Sequence, residues 1–364
     1  MPNDFVGRDG TRFSLNGAAF PAAGVNCYFL AYCAEASARA AMTTAKQMGA
    51  NVIRSWAFSD SAQAGGGVAF QYLENGAIKI DDGPNGLQRL DGVIQTAEEL
   101  GLKLILPLVN HWKDFGGTPM YLQWLGLGGD VKLFYESLEA RLAYRNWVQH
   151  VLTRRNTLTG RLYAEEPSIM AWELTNEARC DGERDILLDW VHEMVSYVKQ
   201  LDGNHLVALG DEGFFNEHHF LQHNKGELYD GRHGTDFAAT LEIPEIDFGG
   251  YHFYPQDWGH QNDLAFGDQW VTDHAKAGER AGKPVLMEEY GLRLGDAVVP
   301  DAATRNSWFA RWLKTVKETG TAGALLWMLG GTEADTRGYK DDYVIYQASE
   351  VAGLFERARA TGAA

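Results

Sequence analysis

The 364-residue chain reads as a single (β/α)8 barrel with long strand-to-helix loops, one domain spanning residues 1–364. Three observations predict this fold. Eight short runs rich in Val, Ile and Leu recur along the whole length, and stretches of helical periodicity separate them. No internal repeat, low-complexity tract or second domain's worth of sequence interrupts the alternation. A doubly wound open sheet is the alternative, but no Gly-x-Gly-x-x-Gly follows the first strand.

In chain order, the first strand covers residues 24–29, and the helix 37–48 follows it. The second strand, 51–56, leads to a helix over 87–100. Gly101-Leu-Lys then supplies the stop of a helix and the start of a strand, 103–109. The longest apolar run, Leu102 to Val109, lies here. Lys103 and Pro107 interrupt it, so it has a strand's length and not a membrane span's. A helix over 138–154 precedes the fourth strand, 168–174. After it, Ile186, Leu187, Trp190, Val191, Met194, Val195 and Val198 fall on one helical stripe. Asp202-Gly-Asn announces the fifth strand, 205–209, whose following helix is poorly marked because 214–240 reads mostly as loop. The sixth strand, 247–252, is followed by a helix over 264–281. Gly282-Lys-Pro opens the seventh strand, 284–289; a helix over 303–319 and the eighth strand, 322–327, complete the set.

Composition narrows the partners. Hydrophobic residues make up 45% and charged residues 22%, enough to bury a large core. The net charge of −17 opposes phosphate backbones and anionic membrane surfaces, so neither a nucleic acid nor a membrane is an expected partner. Eleven Trp residues permit stacking on sugar rings, although Trp serves cores equally well. Three cysteines, Cys27, Cys33 and Cys180, allow one disulfide at most and exclude a disulfide framework. The first residues, Met1-Pro-Asn-Asp-Phe, lack the regions of a secretory signal, so as it stands the sequence reads as cytoplasmic unless a signal has been removed.

A barrel concentrates chemistry where the loops after its strands converge. Those ends carry Arg54, Asn110, Asn176-Glu177, Glu212, His252 with Tyr254, Glu289 and Trp327. A single polar residue at the tip of an apolar strand is a cap or an ion pair. Seven tips of eight require another reason, because unpaired polar groups there are costly. Glu177 and Glu289 follow different strands across one mouth. Glycoside hydrolysis needs such a pair: one carboxyl protonates the leaving oxygen, and the other attacks the anomeric carbon or activates water.

These segments carry a resemblance. Trp172-Glu-Leu-Thr-Asn-Glu-Ala-Arg-Cys180 resembles the acid/base motif of glycoside hydrolase family 5 β-mannanases, and Met287-Glu-Glu-Tyr-Gly291 resembles their nucleophile motif. Asn51-Val-Ile-Arg-Ser-Trp56, the run from Leu108 to Gly117 with its Asn-His-Trp, the run from Ile246 to Pro255 and Leu325-Leu-Trp327 match in order, covering nearly the whole chain. Thr11 to Gly17 resembles the family's small N-terminal β-hairpin. Ala178 departs from the pattern, which usually has Pro there; the departure is expected to loosen a turn without removing a catalytic group.

The resemblance implies a retaining endo-β-1,4-mannanase acting on mannan, glucomannan or galactomannan through a covalent glycosyl-enzyme, without cofactor or metal. Glu177 would be acid/base, its pKa raised by Glu289, and Glu289 the nucleophile, kept ionised by Arg54 and Tyr254. Asn176 would bind the sugar 2-hydroxyl, His252 would line the site and Trp327 would be the platform under the reacting sugar. Arg179 and Glu212 would hold the leaving-side sugar, with Trp56, Asn110 and Trp112 at the cleft wall. The family is usually secreted. An exo-acting β-mannosidase on manno-oligosaccharides and a catalytically silent carbohydrate-binding barrel are the alternatives. Glu217-His-His219 with His223 lacks metal-ligand spacing, His192 reads as a packed helix residue, and Cys27 and Cys180 read as inert buried thiols.

Overall fold

The computed structural model describes residues 4–218, 220–221, 226–346, 351 and 353–355. Eight parallel strands form one sheet: β1 Ala22–Asn26, β2 Val52–Arg54, β3 Lys103–Pro107, β4 Ile169–Glu173, β5 Leu206–Ala208, β6 Gly249–Phe253, β7 Val285–Tyr290 and β8 Gly323–Leu326. They are ordered β5-β4-β3-β2-β1-β8-β7-β6, so the ladder runs round a barrel and leaves a seam between β5 and β6. The seam is stitched differently. Asp247 N donates to Val207 O (2.8 Å), Val207 N donates to the Asp247 carboxylate (2.8 Å), and His252 N donates to Glu212 O (3.2 Å). Around the sheet lie α1 Glu35–Gln47, α2 Gln88–Leu100, α3 Leu138–Thr153, α4 Arg184–Leu201, α5 Phe237–Glu242, α6 Phe266–Ala281 and α7 Ala302–Thr319.

The barrel strands are buried throughout, apart from partly exposed Lys103 at the start of β3. That explains why they read as continuous apolar runs and not as alternation. One core fills the space between sheet and helices. A smaller one fills the barrel floor with Ala22, Val52, Ile105, Met170, Leu206, Leu286 and Leu325. The N-terminal hairpin expected from the resemblance is a three-stranded antiparallel sheet, Gly7–Asp9, Arg12–Leu15 and Ala18–Ala19. It lays Val6 and Phe13 on that floor, with Phe13 edge-on to Phe248 at 5.3 Å. The hairpin therefore covers the mouth opposite the polar strand tips.

Punctuation behaves as read. Gly101 and Gly282 close α2 and α6 in the left-handed region, at φ 62° and 65°. Gly24 admits no side chain, because a Cβ there would stand 1.8 Å from the Val52 carbonyl oxygen. Boundaries shift most at β1, which ends at Asn26 and not at residue 29. Beyond it the chain turns, with Tyr32 N bonded to Phe29 O at 2.8 Å, and Tyr28 stacks on Trp56. The weakly marked fifth helix is only six residues, and among the described residues before it the loop reading holds. The β2–α2 connection carries an unforeseen small sheet, Asp60–Ser61, Gln71–Glu74 and Ala77–Ile80. The three cysteines are free and buried, and His192 faces solvent where a packed residue was expected. Among the described residues no helix is long and apolar enough to cross a membrane.

Candidate active site

Arg54 ends β2, fully buried, and ties four neighbours together. Its guanidinium donates to Glu289 Oε1 (2.6 Å), Glu173 Oε2 (2.9 Å), Asn176 Oδ1 (2.7 Å) and Asn26 Oδ1 (3.3 Å). Asn176 passes the network on by donating to Asn110 Oδ1 at 3.0 Å, where a bridge between the two residues extends the β3–β4 ladder. The Arg fork suits carboxylate and amide acceptors in fixed directions, so it orients β4 and β7 groups at once.

Glu177 follows on from β4 in the left-handed region, at φ 54°, with its N–H on Gly210 O at 2.6 Å. A non-glycine residue held there costs on the order of 1 kcal/mol, and the turn aims its carboxyl into the mouth. Trp112 Nε1 donates to Oε2 at 2.5 Å, and His252 Nδ1 lies 2.9 Å from Oε1. The side chain stays 16% exposed, whereas that of Glu289 is 3% exposed. Glu289 Oε2 accepts from the Tyr254 hydroxyl at 2.5 Å and lies 3.4 Å from His252 Nδ1. One oxygen of Glu177 and one of Glu289 are within 4.8 Å of each other. That gap is close to the roughly 5–5.5 Å of carboxyl pairs in which one attacks directly, and short of the wider spacing that seats a water.

Protonation differs from the expectation. Burial raises the Glu177 carboxyl, but the His252 hydrogen bond and charge, the Trp112 indole and Arg179 outweigh it and hold Glu177 at about 2. Glu289 moves the other way: burial raises it, while His252 and Arg54 pull it back only in part. His252 is raised despite burial because both glutamates face it. Both glutamates thus favour a proton on His252, whose Nδ1 is one hydrogen bond from Glu177.

A cleft of about 300 Å³ opens over this cluster, lined by Trp112, Asn176, Glu177, Arg179, Glu212, Tyr254, Glu289 and Trp327. Arg179 and Glu212 form a two-toothed ion pair (2.6 and 2.6 Å), with the guanidinium between the rings of Trp112 (5.1 Å) and Phe214 (5.2 Å). Trp327 stacks on Tyr28, with ring centres 5.8 Å apart, and donates its indole N–H to Asp341 at 2.6 Å. Trp112 is 39% exposed and faces the cleft. Trp56 and Asn110, expected at the wall, are buried behind it. Trp56 is packed against Phe58 and Tyr28, and Asn110 is taken up by Asn176 and the Asp114 carbonyl. Arg54 and His252 are likewise beneath the lining. Asp257, Trp258 and Tyr343 complete the wall and were missed. Trp258, in a polar loop just past a strand tip, carried the same signal as Trp112, while Tyr343 lies in the segment after β8 and carried none.

A second hollow of similar size lies against α1 and α2, lined by Cys33, Glu35, Gln88 and Arg89 among others; it holds no paired carboxyls. Glu177, His252 and Glu289 are also close enough to share a metal ion, but Arg54, Tyr254 and Trp112 already hydrogen-bond the two carboxylates. Of the histidine cluster, His218 bonds Asp236 at 2.5 Å; His219 and His223 lie outside the described residues.

Comparison with known proteins agrees with this geometry. Residues 3–348 match the family described as GH family 5 beta-mannosidase-like. Mannan endo-1,4-beta-mannosidase F of Aspergillus fumigatus is 37% identical over 350 residues, 94% of this chain and 75% of that protein. Mannan endo-1,4-beta-mannosidase A of Podospora anserina is 35% identical over 94% of this chain and 87% of its own. The crystal structure of an endo-1,4-beta-mannanase from Rhizomucor miehei superposes with a TM-score of 0.88 at 33% identity, covering 98% of this chain and 99% of the other.

Proposed function

Because the chain belongs to the glycoside hydrolase family 5 β-mannosidase-like proteins, we propose that Glu289 is the nucleophile and Glu177 the acid/base of a double displacement. The chain is a retaining endo-1,4-β-mannosidase, cleaving β-1,4-mannosidic bonds within mannan chains; glucomannan and galactomannan are the related substrates. The observation that carries the assignment is the pair of carboxyl groups within 4.8 Å, one bracketed by Arg54 and Tyr254 and the other by His252 and Trp112.

The division of labour follows from surroundings. Glu289, clamped by two donors, attacks the anomeric carbon from below and becomes an ester. Glu177 protonates the leaving oxygen and exchanges that proton with His252, whose Nδ1 is 2.9 Å from its Oε1. In the second step Glu177 takes a proton from water, the oxygen attacks the anomeric carbon, the bond from that carbon to Glu289 breaks and frees its carboxylate, and the proton passes back to His252. Asn176 is positioned by Arg54 to meet the 2-hydroxyl of the reacting sugar. Trp327 is its floor, and Arg179 with Glu212 receives the sugar on the leaving side.

Anion rescue tests the assignment. Glu289→Ala and Glu177→Ala should each lose on the order of 10³-fold or more in turnover on mannan while remaining folded. With an activated aryl mannoside and azide, Glu289→Ala should release the α-glycosyl azide, because the anion enters from the vacated side. Glu177→Ala should release the β-azide. Near wild-type turnover in either variant, or the opposite anomers, would overturn it.

A further inference from the structure

Below the two glutamates the barrel interior holds another pair of carboxyls, fully buried and outside the cleft lining. Glu173 ends β4 and Glu288 precedes Glu289 on β7. Glu173 uses Oε2 to accept from Arg54, and its Oε1 has no N–H or hydroxyl partner; neither oxygen of Glu288 has one. Both carboxyl groups stand against the Arg54 guanidinium, Glu173 Oε2 at 2.8 Å and Glu288 Oε2 at 3.9 Å, which brings the two side chains together. Gly250 on β6 makes the room, since a Cβ there would stand 2.0 Å from Glu288 Oε2. The charged groups facing Glu288 are Glu173 from β4, Arg54 from β2 at 3.9 Å, His252 Nε2 from β6 at 3.9 Å and its own neighbour Glu289 on β7. From β1, Asn26 meets only its backbone carbonyl, at 2.8 Å, and beyond β5 the charge of Glu173 contributes to raising Asp211.

Two ionised carboxylates pressed together without a donor between them are strongly unfavourable in a dry interior. A shared proton turns the same contact into an O–H···O⁻ hydrogen bond and gives Glu173 Oε1 a donor. We propose that Glu288 is a neutral acid donating its proton to an ionised Glu173, and that the pair is a positioning device. It fixes Arg54 beneath Glu289 and limits the negative charge under His252 to one unit. Burial and the Glu173 charge both favour the neutral form of Glu288. The catalytic consequence rests on the roles given above to Glu177 and Glu289; the protonation itself does not.

Infrared difference spectra at neutral pH test the protonation directly. Wild type minus Glu288→Gln should contain the carbonyl stretch of one protonated carboxylic acid. Its absence overturns the proposal, whatever the activity. The pH profile of kcat/KM on mannotetraose tests the positioning, because the same substitution at the two sites has unequal consequences. In Glu288→Gln the side-chain amide still donates to Glu173 and changes no charge, so both limbs should stay within about 0.3 pH unit of wild type. Glu173→Gln removes the ionised member, so both limbs should move to lower pH by about one unit or more. There kcat should fall more than KM rises. Equal shifts in the two variants, or limbs displaced downward in Glu288→Gln, would mean that Glu288 is ionised. A Glu288→Gln chain that fails to fold counts against the proposal too, because Gln offers the same donor in the same shape.

Discussion

His252 touches both glutamates through one nitrogen, 2.9 Å from Glu177 and 3.4 Å from Glu289, and its pKa is raised because both carboxylates face it. A raised histidine keeps its proton until the pH climbs past its folded value, so the alkaline limb of kcat/KM should report loss of the proton from the His252–Glu177 pair. In His252→Gln that proton has only Glu177 to rest on, where Trp112 and Arg179 still favour the ionised form. The alkaline limb should therefore move to lower pH; an unmoved or raised limb in the measured profile would sink the reservoir role. Much of this site was legible in the sequence. Polar residues at strand ends have no structural reason to be so numerous, and Glu177, Glu289, Arg54, Asn176 and Tyr254 do meet. What periodicity could not give was the order of protonation, because that depends on which carboxyl His252 approaches more closely. Nor could it show that Trp56 is buried while Trp327 lines the cleft, since a buried and a cleft-facing Trp are the same letter.

At the scale of the elements, the turn between α4 and β5 shows how a strand start is fixed. Asp202 accepts from the Trp172 indole (2.8 Å), His205 Nδ1 (2.6 Å) and the N–H groups of Asn204 (2.9 Å) and His205 (3.1 Å). Its pKa is lowered: burial opposes ionisation, but the His205 contact and the other donors prevail. A depressed carboxylate contributes stability that is complete above its unfolded pKa and is lost as the pH falls through the folded value. Asp202→Asn should cost about 2–4 kcal/mol near neutral pH. In urea denaturation the gap from wild type should shrink in acid, and a gap independent of pH would contradict this account. Asp202-Gly-Asn was read only as the punctuation between a helix and the fifth strand, so the turn's position was recoverable and its energetics were not. The small sheet between β2 and α2 was recoverable and missed. Asn75-Gly76, at φ 51° and 75°, is a two-residue hairpin signal set between alternating residues. The six-residue α5 had no periodicity to read, because so short a helix is held by the Asp236 cap and by packing of Phe237 and Leu241.

For the whole molecule, the charge of −17 and the buried site act on different ranges. Surface charge is screened within about 10 Å at moderate salt, whereas the Arg54 and His252 contacts are buried and are screened far less. With a neutral sugar chain, kcat/KM should vary by less than about twofold between low and high salt. A polyanionic chain of the same linkage should bind weakly at low salt and gain as salt rises. Strong salt dependence on neutral mannotetraose would show that surface charge steers the substrate after all. The seam of the barrel has a consequence of its own. Seven strand junctions are laced by parallel ladders, whereas the eighth depends on the Asp247 amide and carboxylate near one end and on one amide, His252 to Glu212, at the other. The cylinder thus behaves as a split ring whose two lips each carry a working group. Spreading the lips separates Glu212 from His252. An opening of the barrel at this seam therefore changes the distance between Glu212 and His252, two residues on either side of the cleft cluster.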